Sequence, residues 1–398
     1  MARGLRSRDA VLTIDGHCDV RFTAVREQFF RNFTERGDVG ASVCVYLDGA
    51  RVVDCWGGHA DAARTRPFGA DTIVSVASTT KGMVALCAHM LAERGKLHLD
   101  APVARYWPEF AAAGKQDIPV RWLLSHRAGL PAIRRTLPAE ALFDWEAMTG
   151  ALAETAPWWT PGTRHGYHAI TYGYLVGEII RRVDGRTVGA FLRDEVTGPL
   201  RADFFIGVPE EADARAAEVL APPPPAAGDT TLWDTILADP ESVSGRTFLN
   251  PPRTPDLVNT REWRAAEIPA ANGHTSARGV ARVYAALARG GELDGVRLLV
   301  PATIDRAIEE QSRGRDTVLN LPTRFATGFM LGMPGGIFEC GPGRRTFGHP
   351  GCGGSIGFAD PDARIGFGYV TNQYRTNTLR HPDRRVLSLV DAVYAALR

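Results

Sequence analysis

Residues 78–95 read STTKGMVALCAHMLAERG, and this run decides how the rest of the chain is understood. Apolar residues recur at helical spacing behind its start, and Gly95 supplies a stop, so the run predicts a helix opening at Ser78. A three-residue offset places Ser78 and Lys81 on one face of that helix, within reach of each other. At the helix start, free N–H groups and the dipole favour an anionic oxygen on Ser78. Lys81, held neutral by partial burial and neighbouring positive potential, can then take the Ser78 proton and leave an alkoxide-like nucleophile. The competing reading is an N-cap serine beside an unrelated surface lysine. With so few lysines, a chance S-x-x-K is expected only about 0.08 times, which favours the chemical reading.

The scarcity of lysine sharpens the point. Of 46 basic residues only Lys81, Lys96 and Lys115 are lysine, and only lysine gives up its proton near neutral pH. Lys115 reads as an exposed residue with no such role. The remaining composition is ordinary: 398 residues, a net charge of +1, 44% hydrophobic and 23% charged. These values exclude disordered, collagen-like and coiled-coil chains, and the lack of a basic excess removes the electrostatic case for nucleic acid. The length allows two or three compact units or one large fold. The six cysteines are scattered without a C-x-x-C pair, and no H-E-x-x-H is present, so the expectation is reduced thiols, no metal and no cofactor. The start, MARGLRSRDAVLTIDGHCDV, lacks an apolar run of signal-peptide length, and no stretch is long enough to span a membrane. The expectation is a cytoplasmic protein with no membrane partner.

Outward from the central helix, the chain divides by pattern. Val25, Phe29 and Phe33 recur every four residues, predicting an amphipathic helix, and ASVCVYLDGARVVDCWGG reads as a hairpin turning at Asp48-Gly49. Helical patterns dominate from about 78 to 200. Residues 208 to 270 carry prolines that break both helix and strand, predicting a long irregular, lid-like insertion. After the helix of HTSARGVARVYAALARGG, the runs FATGFMLGM, FGHPGCGGSIGFADP and ARIGFGYVTNQ predict a return to antiparallel sheet, and DRRVLSLVDAVYAAL predicts a closing helix. Strands at both ends around a helical middle give an α/β chain with segregated (α+β) elements: one sheet from both termini, flanked by helices, with an inserted helical lobe. The expected division is a single domain, 1–398, made of an α/β lobe (1–77 and 275–398) and a helical lobe (78–274).

Two further segments carry candidate chemistry. Tyr167 follows the Pro161-Gly162 turn, where a loop can present its phenol to a cleft and relay a proton between Lys81 and a leaving group. Tyr172 and Tyr174, inside the next helix, have packing spacings. His349-Pro350-Gly351-Cys352 lies in the C-terminal sheet region, where glycine lets backbone approach a substrate and an N–H can join that of Ser78 in holding an oxyanion.

Together these segments resemble the serine β-lactamase and penicillin-binding-protein-like family, in particular its class C β-lactamase-like branch with the family VIII carboxylesterases and related acyltransferases. The resemblance covers nearly the whole chain: S-x-x-K, IPVRWLLSHRAGLP, PGTRHGYHAITYGYLVGEII, ANGHTSARGVARVYAALA and FGHPGCGGSIGFADP occur in the family's order. It implies a β-lactamase/transpeptidase-like fold, Ser78 as acyl-enzyme nucleophile, Lys81 as its base, Tyr167 as proton relay, and the N–H groups of Ser78 and Cys352 as the oxyanion hole. The sequence departs from the β-lactamase pattern twice. Tyr167-His168-Ala169 stands where Tyr-x-Asn is found, so Ala169 lacks the side-chain amide that holds an acylamino group. His349-Pro350-Gly351 stands where Lys-Thr-Gly is found, so a switchable cation replaces a permanent one. Both changes point away from β-lactams and towards an ester or thioester.

The expected partners are therefore a small-molecule acyl donor and a water, alcohol or amine acceptor. Water makes the protein a carboxylesterase; an alcohol or amine makes it a transacylase, as in natural-product biosynthesis. A β-lactamase, or a non-catalytic receptor on the same scaffold, are the rival readings. Gly353-Gly354-Ser355-Ile356-Gly357 spells G-x-S-x-G but lacks the strand–turn–helix setting and the downstream acid and histidine, His381 being the only later one. His126 is expected to tie a loop to backbone, His165 and His168 to line or rim the cleft, and Trp158 and Trp159 either to wall an acyl pocket or to pack in the core.

Overall fold

The structure is a computed structural model that describes residues 12–224, 231–375 and 383–398. The first arginines of the chain, the end of the proline run and His381 lie outside those residues. Nine antiparallel strands form the main sheet, in the spatial order Ile14–Cys18, Ala50–Gly58, Gly40–Leu47, Ile365–Thr371, Ile356–Asp360, Phe347–Pro350, Met330–Leu331, Pro322–Phe325 and Ser312–Arg315. The two termini meet at its centre, where Leu47 pairs with Ile365 and Ala41 with Thr371. The hairpin joining Gly40–Leu47 to Ala50–Gly58 turns at Asp48 and Gly49, both at positive φ (50° and 83°), the geometry of the tight hairpin turn expected there.

Helices cover both faces. The alternation in Ile365–Thr371 explains how: Gly366 and Gly368 face the alanine-rich helix Ala277–Ala288, and a Cβ on either would lie 2.4 Å from that helix's backbone. Phe367 and Tyr369 point the other way, into a core under Thr23–Thr34 and the C-terminal helix Arg384–Ala395 that also holds Phe22, Val25, Phe29, Leu389 and Val393. Each such side chain contributes about 1.5–3 kcal/mol by leaving water. A buried polar knot fastens this layer: Arg385 Nη1 donates to Asp38 Oδ1 at 2.8 Å, and the hydroxyls of Tyr369 and Thr371 donate to the same carboxylate.

The helical part surrounds Thr80–Glu93, buried on every side from Thr80 to Leu91. Thr171–Asp184 packs along it, with Tyr172 and Tyr174 buried and the Tyr174 hydroxyl donating to Leu142 O at 2.5 Å. A small sheet of Val74–Ser75, His274–Thr275 and Phe204–Phe205 brings together the chain segments entering and leaving this part.

Two expectations need correction. The 208–270 segment is not irregular throughout, because it holds the helices Leu232–Ala238, Val243–Leu249 and Arg261–Ala265, each opened by a Thr or Ser side-chain cap. Lys115 is not exposed: it is fully buried and donates to the carbonyls of Ala112, Ala153 and Thr155 at 2.7, 2.8 and 2.8 Å. Three carbonyls converging on one point match the three donors of an ammonium, so the loop closes around the lysine.

Candidate active site

Ser78 reaches the surface of its turn through backbone strain. Ala77 takes φ of 44°, a left-handed value costing about 1–3 kcal/mol in a non-glycine residue. The helix proper starts at Thr80, after short turns in which Thr79, Thr80 and Lys81 N–H bond back to Val76, Ala77 and Ser78. Lys81 Nζ lies 3.0 Å from Ser78 Oγ and donates to Ala169 O at 2.7 Å and Ala270 O at 2.9 Å. Two carbonyls thus fix two N–H bonds, and a neutral amine so held directs its lone pair at Ser78 Oγ. Burial, reinforced by the Arg253 guanidinium, pushes the Lys81 amine well below the usual lysine range.

Tyr167 is buried with its ring 4.8 Å from Lys81 Nζ, and its hydroxyl faces Ser78. Burial raises its phenol, so Tyr167 keeps its proton. Asp316 Oδ1 fixes the loop by accepting from the N–H groups of Tyr167, Val318 and Leu319 at 3.1, 2.8 and 2.8 Å. On the other side, Gly351 approaches the nucleophile turn so closely that a Cβ there would lie 2.3 Å from Val76 O. Cys352 follows it with an exposed thiol. Among the described residues, neither the Ser78 nor the Cys352 main-chain N–H donates a hydrogen bond to the protein. Such N–H groups are normally paired, and two free ones side by side are the kind of donors that hold an oxyanion.

The structure brings Ser78, Lys81, Tyr167, His349, Gly351 and Cys352 together and turns other candidates away. Ala169 contributes its carbonyl, not its side chain. The His168 ring is buried against main chain, accepting from Leu130 N at 3.1 Å and donating to Gly166 O at 2.7 Å, and burial lowers it to about 3. His126 Nδ1 accepts from His168 N–H at 3.1 Å, the loop-tying role expected of it, while His165 Nε2 meets Thr323 Oγ1 at 2.9 Å. The paired tryptophans diverge: Trp158 Nε1 donates to Ala132 O under the Arg134 guanidinium, whereas Trp159 packs beside His168.

His349 departs from the switchable cation expected. Its Nδ1–H donates to Pro350 O at 2.7 Å, and burial together with Lys81 lowers its pKa to about 3, so the ring is neutral. Among the described residues its Nε2 is buried without a partner, leaving a bare acceptor on a ring 6.0 Å, centre to centre, from that of Tyr167. Ser355 is buried with Oγ donating to Val76 O at 2.9 Å, away from any base. No group of three His, Cys, Asp or Glu able to hold a metal occurs among the described residues.

Residues 27–392 match the Beta-lactamase family. The chain belongs to the beta-lactamase family. Within it, the chain is 38% identical over 369 residues to the esterase/beta-lactamase LipL of Mycobacterium tuberculosis, covering 92% of this chain and 84% of LipL. Its fold matches a family VIII carboxylesterase with a TM-score of 0.88 at 40% identity, covering 96% of this chain and all of the other. A penicillin-binding protein homolog from Caulobacter crescentus aligns equally well, with a TM-score of 0.88 at 41% identity over 96% of this chain and 100% of that one. These relatives place this beta-lactamase family member among esterase/β-lactamase-like hydrolases with the β-lactamase/transpeptidase-like fold.

Three participants escaped the sequence reading of this family member. Ala270 acts through a carbonyl, which no side-chain pattern reveals. Asp316 lies in an arginine-rich stretch where an acid reads as a surface ion-pair partner. Arg253 comes from the proline-rich insertion; it is half-buried, donates to Phe248 O at 2.9 Å, and has no carboxylate partner among the described residues.

Proposed function

We propose that this protein is a serine carboxylesterase that acts through an acyl ester on Ser78. The observation that carries the reading is the Lys81 amine, depressed by its burial and further by Arg253, and fixed by two carbonyls with Ser78 Oγ as its third neighbour. In this mechanism the Ser78 proton passes to Lys81 Nζ as Oγ attacks the ester carbonyl, and the oxyanion rests between the Ser78 and Cys352 N–H groups. The C–O bond to the leaving alcohol then breaks, and that oxygen takes the proton from Lys81 through the Tyr167 hydroxyl. Water, deprotonated by the same pair, attacks the acyl ester and releases the acid and Ser78.

An alcohol or amine in place of water gives a transacylase with the same acyl-enzyme. The β-lactamase reading is disfavoured by Ala169, which offers no side-chain amide, and by the neutral His349. A receptor role leaves the depressed Lys81 without purpose. Intact-protein mass spectrometry with p-nitrophenyl butyrate tests the proposal: an acyl adduct on wild type that is absent in Ser78→Ala is expected, and full turnover by Ser78→Ala would sink it. Adding an amine or alcohol separates the two acceptors, since an esterase adduct clears no faster with either present.

A further inference from the structure

Ser355, the centre of the misleading G-x-S-x-G, is buried beside the nucleophile turn, and its bonds go to the two turns that carry the free N–H groups. Its Oγ donates to Val76 O at 2.9 Å and lies 3.4 Å from Thr79 Oγ1, so it grips the chain on both sides of Ser78. Its own carbonyl accepts from Gly351 N at 2.7 Å, closing the turn that contains Cys352. The opposite side of that turn is held from the end of the chain. Arg385 Nη2 donates to Gly353 O at 2.8 Å and to Asp383 Oδ2 at 2.6 Å, while Nε is locked by Asp383 and Nη1 by Asp38 and by Gln373 O. Tyr374 packs on Gly353 and donates from its hydroxyl to Ser75 O at 3.1 Å, a second tie between the turn and the nucleophile strand. Gly353 and Gly354 take φ of 96° and 115°, so the turn has no side chains of its own to fix it there.

We propose that Ser355 and Arg385 are positioning residues that clamp the Cys352 turn between them and so set the spacing of the two oxyanion-holding N–H groups. The inference rests on the acyl-Ser78 reading, and it assigns neither residue a contact with substrate. Removing an oxyanion donor outright costs about 10²–10³ in kcat; letting one drift costs less, and the loss falls on the transition state alone.

The test compares Ser355→Ala and Arg385→Lys with wild type and with Lys115→Met, a destabilised control whose lesion lies in the helical part. For Ser355→Ala, kcat for p-nitrophenyl butyrate is expected to fall about tenfold or more with KM within twofold. Inhibition by butylboronic acid, whose tetrahedral adduct places an anionic oxygen in the same hole, is expected to weaken by a matching factor. Lys115→Met is expected to lose stability and change neither quantity. Ser355→Ala decides the matter whether or not Arg385→Lys folds. If it loses only thermal stability, or if the loss appears in KM while boronate inhibition is unchanged, the clamp is overturned and the acyl-Ser78 reading stands. If Ser78→Ala keeps turnover, both are overturned together.

Discussion

At the scale of single residues, the site depends on what weakens a lysine's hold on its proton. Burial does most of this and Arg253 adds to it, so Arg253 tunes the pH at which the base becomes available. Taking away a nearby positive charge stabilises the ammonium and raises the Lys81 pKa. Arg253→Gln is therefore expected to move the acid limb of the kcat/KM profile to higher pH, lowering activity below the limb and leaving the plateau near wild type. A pH–rate series reads this directly, and a shift to lower pH would contradict it. The nucleophile and its base were legible because S-x-x-K with so few lysines is informative. Arg253 was not, because one arginine among many gives no signal until the insertion folds back and leaves its guanidinium without an acid. His349 shows a further limit: the residue type announces a titratable charge, but burial decides that the charge is absent, against the opposing pull of the bond to the next residue's carbonyl.

Between residue and fold stand the elements. The close approach of Ala277–Ala288 to the central strand requires glycine at 366 and 368, because any Cβ would enter the helix backbone. Gly368→Val is expected to destabilise by about 1–3 kcal/mol or more through overpacking, seen as a lower denaturation midpoint. Lys115→Met, which removes the donor shared by three buried carbonyls, is expected to cost about 2–3 kcal/mol with kcat unchanged. The alternation of glycine with Phe367 and Tyr369 made this strand readable, and Asp48-Gly49 did the same for the hairpin. The short helices of the insertion were missed despite caps at Thr231, Ser242 and Thr260. Their helices run only five to seven residues, too short for apolar periodicity to emerge, and the prolines around them outweighed the caps. Lys115 was misread because the carbonyls that enclose it come from Ala112, Ala153 and Thr155, segments no local pattern joins.

On the scale of the whole molecule, the question is which acyl donors the cleft accepts. A neutral His349 offers a cephalosporin's carboxylate no cation, and Ala169 offers its acylamino group no side-chain amide, so kcat/KM for p-nitrophenyl butyrate is expected to exceed that for a chromogenic cephalosporin by about 100-fold or more. The reverse order would make this a β-lactamase in activity as well as in family. The overall architecture was readable in advance because the motifs occur in order along the chain, whereas the tie between its ends was not. That tie joins Asp38 to Arg385, residues 347 positions apart. Gly40–Leu47 likewise waits for Ile365–Thr371 before it gains its inner neighbour. On the ribosome, then, the hairpin of residues 40–58 emerges long before its mate, and the loop carrying Cys352 is fastened only when Arg384–Ala395 has been made. Until then Ser78 stands beside an oxyanion site that is still open.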